Sequence, residues 1–160
     1  MKTELQKKLI EEYRQFFTTE REIYTGEKPT VVELHELLNQ KEIVLPIQFG
    51  IECGDGWYML LDNLLGSIES HLNPENTWPR KERIPLQIDQ IKEKFGGLRF
   101  YYHGGDYEVR GMVNFAERLS YSICEQCGST KNVTQTKGWI ITLCEDCMKK
   151  HNKNGMEIDG

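Results

Sequence analysis

The stretch CEQCGSTKNVTQTKGWIITLCEDC, residues 124–147, places two Cys-x-x-Cys pairs 16 residues apart. Two residues between ligands let one tight turn present both sulfurs to a single ion, and a second such turn completes the tetrahedral four-thiolate shell that zinc favours. Cys124, Cys127, Cys144 and Cys147 are therefore expected to hold one Zn2+, with an iron–sulfur cluster as the second reading and paired disulfides as the third. Four thiolates leave no coordination position open, so the centre is expected to be structural rather than catalytic. Metal binding of this kind becomes folding free energy, on the order of 10–16 kcal/mol in small zinc peptides. Gly128 follows the first pair, where a knuckle backbone calls for a positive φ. Between the pairs, VTQTKGWIITL is rich in Val, Thr, Ile and Trp with a turn at Lys137-Gly138, and CEDCMKKH opens a terminal helix. Together these features describe a zinc ribbon. His151 stands near the second pair as a competing ligand that the complete cysteine set makes unnecessary.

Immediately before the ribbon, Val109, Met112, Val113, Ala116, Leu119 and Ile123 recur at helical spacing, which predicts a helix running into the first knuckle and docking the metal module on the rest of the chain. Before that helix, LQIDQIKEKFGGLRFYYHGGD contains two alternating runs about Gly96-Gly97, read as a β-hairpin with the diglycine as its turn. Ile91, Glu93, Phe95, Leu98, Phe100 and Tyr102 then share one face. Lys92, Lys94, Arg99, Tyr101 and His103 share the other. Cations interleaved with tyrosine suit a phosphate with a stacked ring; the plainer reading is a solvated face whose Lys and Arg guard against edge pairing.

The apolar series Trp57, Leu60, Leu61, Leu64, Leu65, Ile68 and Leu72 predicts the central core helix. Leu5, Leu9, Tyr13, Phe16 and Phe17 predict an N-terminal helix. Thr30 with Glu33 three residues on forms a capping box ahead of a second helix that carries His35, read as an ordinary helix residue. In EIVLPIQFGIECGDG, residues 42–56, the apolar residues around Pro46 read as a short edge strand, because proline donates nothing to a ladder, and Gly54-Asp55-Gly56 breaks it. Residues 73–85 read as a polar, proline-bounded loop. The fold class is thus α+β: an α+β core over residues 1–123, the zinc ribbon over 124–153 docked on it, and a frayed tail over 154–160.

Cys53 is the one cysteine without a partner at a recognisable spacing. A cysteine near a helix N-terminus can become a reactive thiolate, but Glu52 and Asp55 flank this one and would raise its pKa, and only His71 or His103 offers a base from elsewhere in the chain. Asp55 is expected to offset the positive end of the following helix, and Gly54 and Gly56 to permit a tight entry to it. The expectation is a buried, inert thiol.

With 160 residues, 38% hydrophobic and 28% charged, the chain has material for one full core with a small metal-stapled appendage. Its net charge of −5 is unevenly placed, −7 over residues 1–79, +2 over 80–110 and zero over 111–160. Long tracking of a phosphate backbone needs many aligned cations, so nucleic acid is the less favoured partner. No segment reads as a signal peptide or a membrane span, and the expected location is the cytoplasm. No H-E-x-x-H, phosphate-loop or G-x-S-x-G motif is present, and an enzyme is the less favoured class.

ECGDGW, KEKFGGLRFYY, CEQCG and GWIITLCEDC together resemble motifs in a group of small bacterial and bacteriophage proteins for which no activity is established, a likeness covering residues 49–147. The resemblance implies a cytoplasmic setting, the host cytoplasm where the chain is phage-encoded, and carries over no residues beyond the zinc ligands. The favoured function is a non-enzymatic binding protein using Lys94, Arg99, Tyr101, His103 and Trp57 to hold a protein partner or a small anionic, nucleotide-like ligand, with sequestration of a host nucleotide as one form of it. A nucleic-acid-binding ribbon protein and an enzyme using Cys53 are the alternatives.

Overall fold

A computed structural model describes residues 1–17, 50–76 and 84–156; the expected helix at Thr30, its His35 and most of the segment around Pro46 lie outside the described residues. The order of elements is α1 (Thr3–Glu12), β1 (Ile51–Glu52), α2 (Tyr58–Leu72), β2 (Leu86–Lys94), β3 (Gly97–Gly104), α3 (Tyr107–Ser120), β4 (Val133–Gln135), β5 (Thr142–Cys144) and α4 (Glu145–Met156). The fold is α+β. A three-stranded sheet runs β1-β2-β3, with β1 parallel and β3 antiparallel to β2, and β4-β5 form a separate antiparallel pair.

The N-terminal helix is shorter than its apolar pattern suggests. It ends at Glu12, and Arg14–Phe16 form a 3-10 turn that still buries Phe16, so the stripe reaches the core by a change of helix type. The α2 series is buried as expected at Leu60, Leu61, Leu64, Leu65, Ile68 and Leu72. The terminal helix runs on through Met156, into the stretch expected to fray.

In the β2–β3 hairpin the turn is Phe95-Gly96, not Gly96-Gly97. Lys94 pairs with Gly97, and both central residues have positive φ, 54° and 74°, the backbone of a type I′ turn, which matches the twist of the strands it joins. Gly97 lies in β3 and is glycine for a packing reason: a side chain there would overlap the Tyr121 ring. The expected partition of faces survives except at Phe95, which leaves the buried face for the turn and is exposed, because moving the turn by one residue on both strands preserves parity elsewhere. Ile91 lies opposite Phe100 on the buried face and Lys92 opposite Arg99 on the outer face. Nearer the start of β2 a bulge between Ile88 and Gln90 inserts Asp89, which lets both Ile88 and Ile91 face the core.

Strand β3 lies at the sheet edge, and α3 covers its free donors. The Leu98 amide donates to Ser120 Oγ at 2.9 Å and the Phe100 amide to Glu117 Oε1 at 2.9 Å. Occupied edge donors remove a template for pairing with another chain. The Asp106 side chain in turn accepts from the Val109 amide at 3.0 Å as the N-cap of α3.

Candidate metal centre and outer sheet face

The two Cys-x-x-Cys turns meet. Ligand atoms of Cys124, Cys127, Cys144 and Cys147 all lie within 4.8 Å of one another, and Cys127 Sγ is 3.6 Å from Cys144 Sγ. A tetrahedral ion with bonds of about 2.3 Å separates its sulfurs by about 3.8 Å, whereas a disulfide requires about 2.05 Å. All four cysteines are free, so the geometry fits a metal-ligand set and excludes the disulfide reading for this state. Gly128 has φ 78° and donates to the Cys124 carbonyl at 2.8 Å, while the Cys124 amide donates to the Ser129 carbonyl at 2.8 Å, which closes the first knuckle. In the second, a hydrogen bond from the Cys147 amide lowers the Cys144 thiol, while burial and the neighbouring sulfurs raise Cys147, so without an ion the clustered thiols share their protons and one sulfur ionises ahead of the others.

The module is keyed into the core at two places. The ECGDGW turn lies against the first knuckle: the Gly56 amide donates to the Glu125 carbonyl at 2.8 Å, the Gly54 amide to Glu125 Oε1 at 2.9 Å, and the Trp57 indole to the Ile123 carbonyl at 2.9 Å. Side chains at Gly54 or Gly56 would overlap the knuckle backbone at Glu125 and Cys124. At the second place the hairpin tip meets the ribbon, where Thr142 Oγ1 donates to the Gly96 carbonyl at 2.5 Å. Glycine in this motif is thus required by close backbone approach. The reading of Gly54 and Gly56 as a helix entry captured only part of that.

Three expectations are corrected here. Trp57, assigned to a ligand surface, is 0% exposed with its indole N–H bonded inside the protein, so it is a core residue. Asp55 does not cap α2, whose N-cap is Trp57 with no side-chain cap bond; Asp55 instead accepts from the Lys2 amide at 2.7 Å and pairs with Lys2 Nζ at 3.1 Å. Neither histidine offered as a base pairs with Cys53: His71 bonds Asp106 at 2.8 Å, and His103 bonds Asp89 at 3.0 Å. Cys53 itself is buried, and its carbonyl accepts from the Met1 amine. Burial pushes its thiol up to about 12, against the N-terminal charge and with help from Glu125, Asp55 and Glu93.

The outer face of the sheet gathers the remaining expected residues. Lys92 and Arg99 are direct cross-strand neighbours, Tyr101 lies opposite Gln90, and Lys92 Nζ stands 5.3 Å from the Tyr101 ring centroid. Arg99 donates to the Tyr121 hydroxyl at 3.0 Å and to the Leu98 carbonyl at 2.7 Å. Lys94 lies 5.4 Å from the centroid of Phe95, which is 66% exposed despite its positive φ. Among the described residues, none of Lys92, Lys94 and Arg99 is in an ion pair. His103 belongs to the same face, but its partner Asp89 makes that end less cationic.

A second cluster, which the sequence reading did not assemble, brings His71 from the end of α2 together with Asp106 and Glu108 from the start of α3. The cap and the His71 bond already engage Asp106. No described helix is long and apolar enough to cross a membrane. The chain matches no family model, no curated protein and no solved structure.

Proposed function

We propose that this chain is a non-enzymatic binding protein in which one zinc ion fastens the C-terminal ribbon to an α+β core, and the outer face of the sheet holds a small phosphate-bearing ligand. Zinc is favoured by an all-sulfur donor set in two tight knuckles with, among the described residues, no further ligand group in the cluster. The ion stabilises; it has no open position for chemistry. Cys53 supplies no thiolate at neutral pH, which argues against the enzyme reading.

The observation that carries the ligand reading is the placement of Lys92 directly opposite Arg99, neither in an ion pair among the described residues, beside Tyr101 at 43% exposure. Of the acids nearby, Glu52 lies level with Lys92 on β1 but is engaged by Gln90 at 3.0 Å, and Glu117 acts on Arg99 without an ion-pair contact. Like charges in direct cross-strand register destabilise a sheet. An anion bound between them removes that repulsion, and Tyr101 offers a flat surface to a base. In a bacterial or phage-infected cytoplasm such a protein acts by sequestering its ligand.

Calorimetric titration at about 150 mM salt with ATP and, separately, with a short oligothymidylate tests this. Saturable ATP binding, weakened about tenfold or more by Arg99→Ala, is the expected result. Binding of the oligonucleotide alone, with a steep salt dependence, transfers the assignment to single-stranded nucleic acid. Failure of both ligands to bind refutes the face as an anion site.

A further inference from the structure

Where the ECGDGW turn, the hairpin and the ribbon meet there is a cavity of ≈ 220 Å³, whose lining includes Glu93, Glu125, Trp139, Ile141 and Leu143. Both carboxylates are fixed through one oxygen by a backbone amide. Glu125 Oε1 accepts from Gly54 at 2.9 Å and Glu93 Oε1 from Gly96 at 2.6 Å. Among the described residues neither is in an ion pair, and Glu125 Oε2 is buried with no hydrogen-bond partner. A desolvated carboxylate is costly, a second carboxylate on the same wall adds repulsion, and the N-terminal ammonium, which acts on Glu125 without an ion-pair contact, offsets this only in part. Ile141 and Leu143 give the cavity an apolar side, Trp139 stands 80% exposed at the ribbon tip, and Gln126 and His151, which pairs with neither acid among the described ion pairs, complete the wall.

We infer that this cavity is a binding site for an organic cation, an ammonium or guanidinium on an apolar stem, with its charge against Glu93 and Glu125 and its stem against Trp139 and Ile141. The cation supplies both acids with a direct ion-pair partner, which the more distant N-terminal ammonium does not. Guanidinium matches carboxylate oxygens in a planar fork, and an indole face attracts either cation. The volume suits a group of side-chain size rather than a drug-sized ligand, which needs about 300 Å³ or more. A bare divalent ion is disfavoured, because the metal-competent groups among the described residues are the four cysteines and the His71 cluster, not this wall. The inference is independent of the anion face.

The cation can come from a free small amine or from an Arg or Lys side chain of a protein. Titration of the metal-loaded full chain with agmatine and with a capped Gly-Arg-Gly peptide, followed by calorimetry and by amide NMR shifts, separates the two. We expect saturable binding of at least one probe with Kd below about 1 mM, with shifts centred on Gly54, Glu125 and Trp139. Agmatine alone binding assigns a free amine; peptide binding assigns a protein side chain. Glu125→Gln retains an oxygen for the Gly54 amide and should weaken binding about tenfold or more. Trp139→Ala, at an exposed tip, should weaken it severalfold. Absence of binding by both probes, shifts that map elsewhere, or unchanged affinity in Glu125→Gln overturns the inference. Should Glu125→Gln fail to fold, unchanged affinity in Trp139→Ala overturns it alone.

Discussion

The Gly56 amide donates to the Glu125 carbonyl at 2.8 Å, joining a turn of the core to the first metal knuckle across a gap too narrow for any side chain at Gly56. ECGDGW and CEQCG are therefore two halves of one interlocked structure. Trp57 anchors the turn on the core side, and the knuckle sulfurs anchor the other.

Gly56→Ala should lower stability by about 1–3 kcal/mol, because the added methyl overlaps the Cys124 carbonyl and the knuckle backbone has little room to shift. It should also weaken metal retention in a chelator competition. Gly111→Ala should do the opposite. That glycine lies in the exposed middle of α3 with no atom within 4 Å of an added methyl, so alanine should stabilise by about 0.5–1 kcal/mol. Urea unfolding of the two variants beside the parent protein checks both signs.

Alkylation with iodoacetamide at pH 7.5 and mass mapping should find Cys53 unlabelled while the metal-loaded protein is folded. Burial holds the thiol near 12, so the thiolate fraction at that pH is very small. Addition of denaturant should expose it to rapid labelling. Fast modification in the folded protein would revive the nucleophile reading.

Asp106 gives stability a dependence on acid. Burial alone would raise its pKa, but the Val109 amide and His71 outweigh that and hold the carboxyl below its ordinary value. A carboxyl depressed in the folded state stabilises fully above its unfolded pKa of about 4, and the contribution disappears as pH falls through the folded value. Asp106→Asn keeps a cap for the Val109 amide but loses the charge. It should be less stable than the parent by about 1 kcal/mol at pH 7, and the difference should shrink towards zero below pH 3. A difference that stays constant across this range would assign the loss to packing instead.

The four-cysteine cluster, the core helix α2 and the alternation along the sheet were legible because each rests on a local spacing: two residues between cysteines, three and four between α2 leucines, two along β2 and β3. Positive φ at Gly128 and Gly138 follows from the same local logic. The hairpin turn was misplaced because Gly-Gly is the stronger turn signal, while the second glycine answers to the Tyr121 ring, a contact made across the fold that leaves no room for a side chain at Gly97. Trp57 was offered to a ligand because nothing in its neighbours reveals that the Ile123 carbonyl accepts its indole N–H. The cavity beside Glu125 was missed for the same reason. Its walls come from five separate segments, and no spacing along the chain brings them together.

Native mass spectrometry and thermal unfolding of the purified chain, before and after exhaustive chelation, test the central claim most directly. One zinc ion per chain is predicted, and its removal should lower the melting temperature of the whole protein and expose Trp57, because the knuckle that anchors the ECGDGW turn depends on the ion. A metal-free protein that retains the same melting transition and a buried Trp57 would contradict the account.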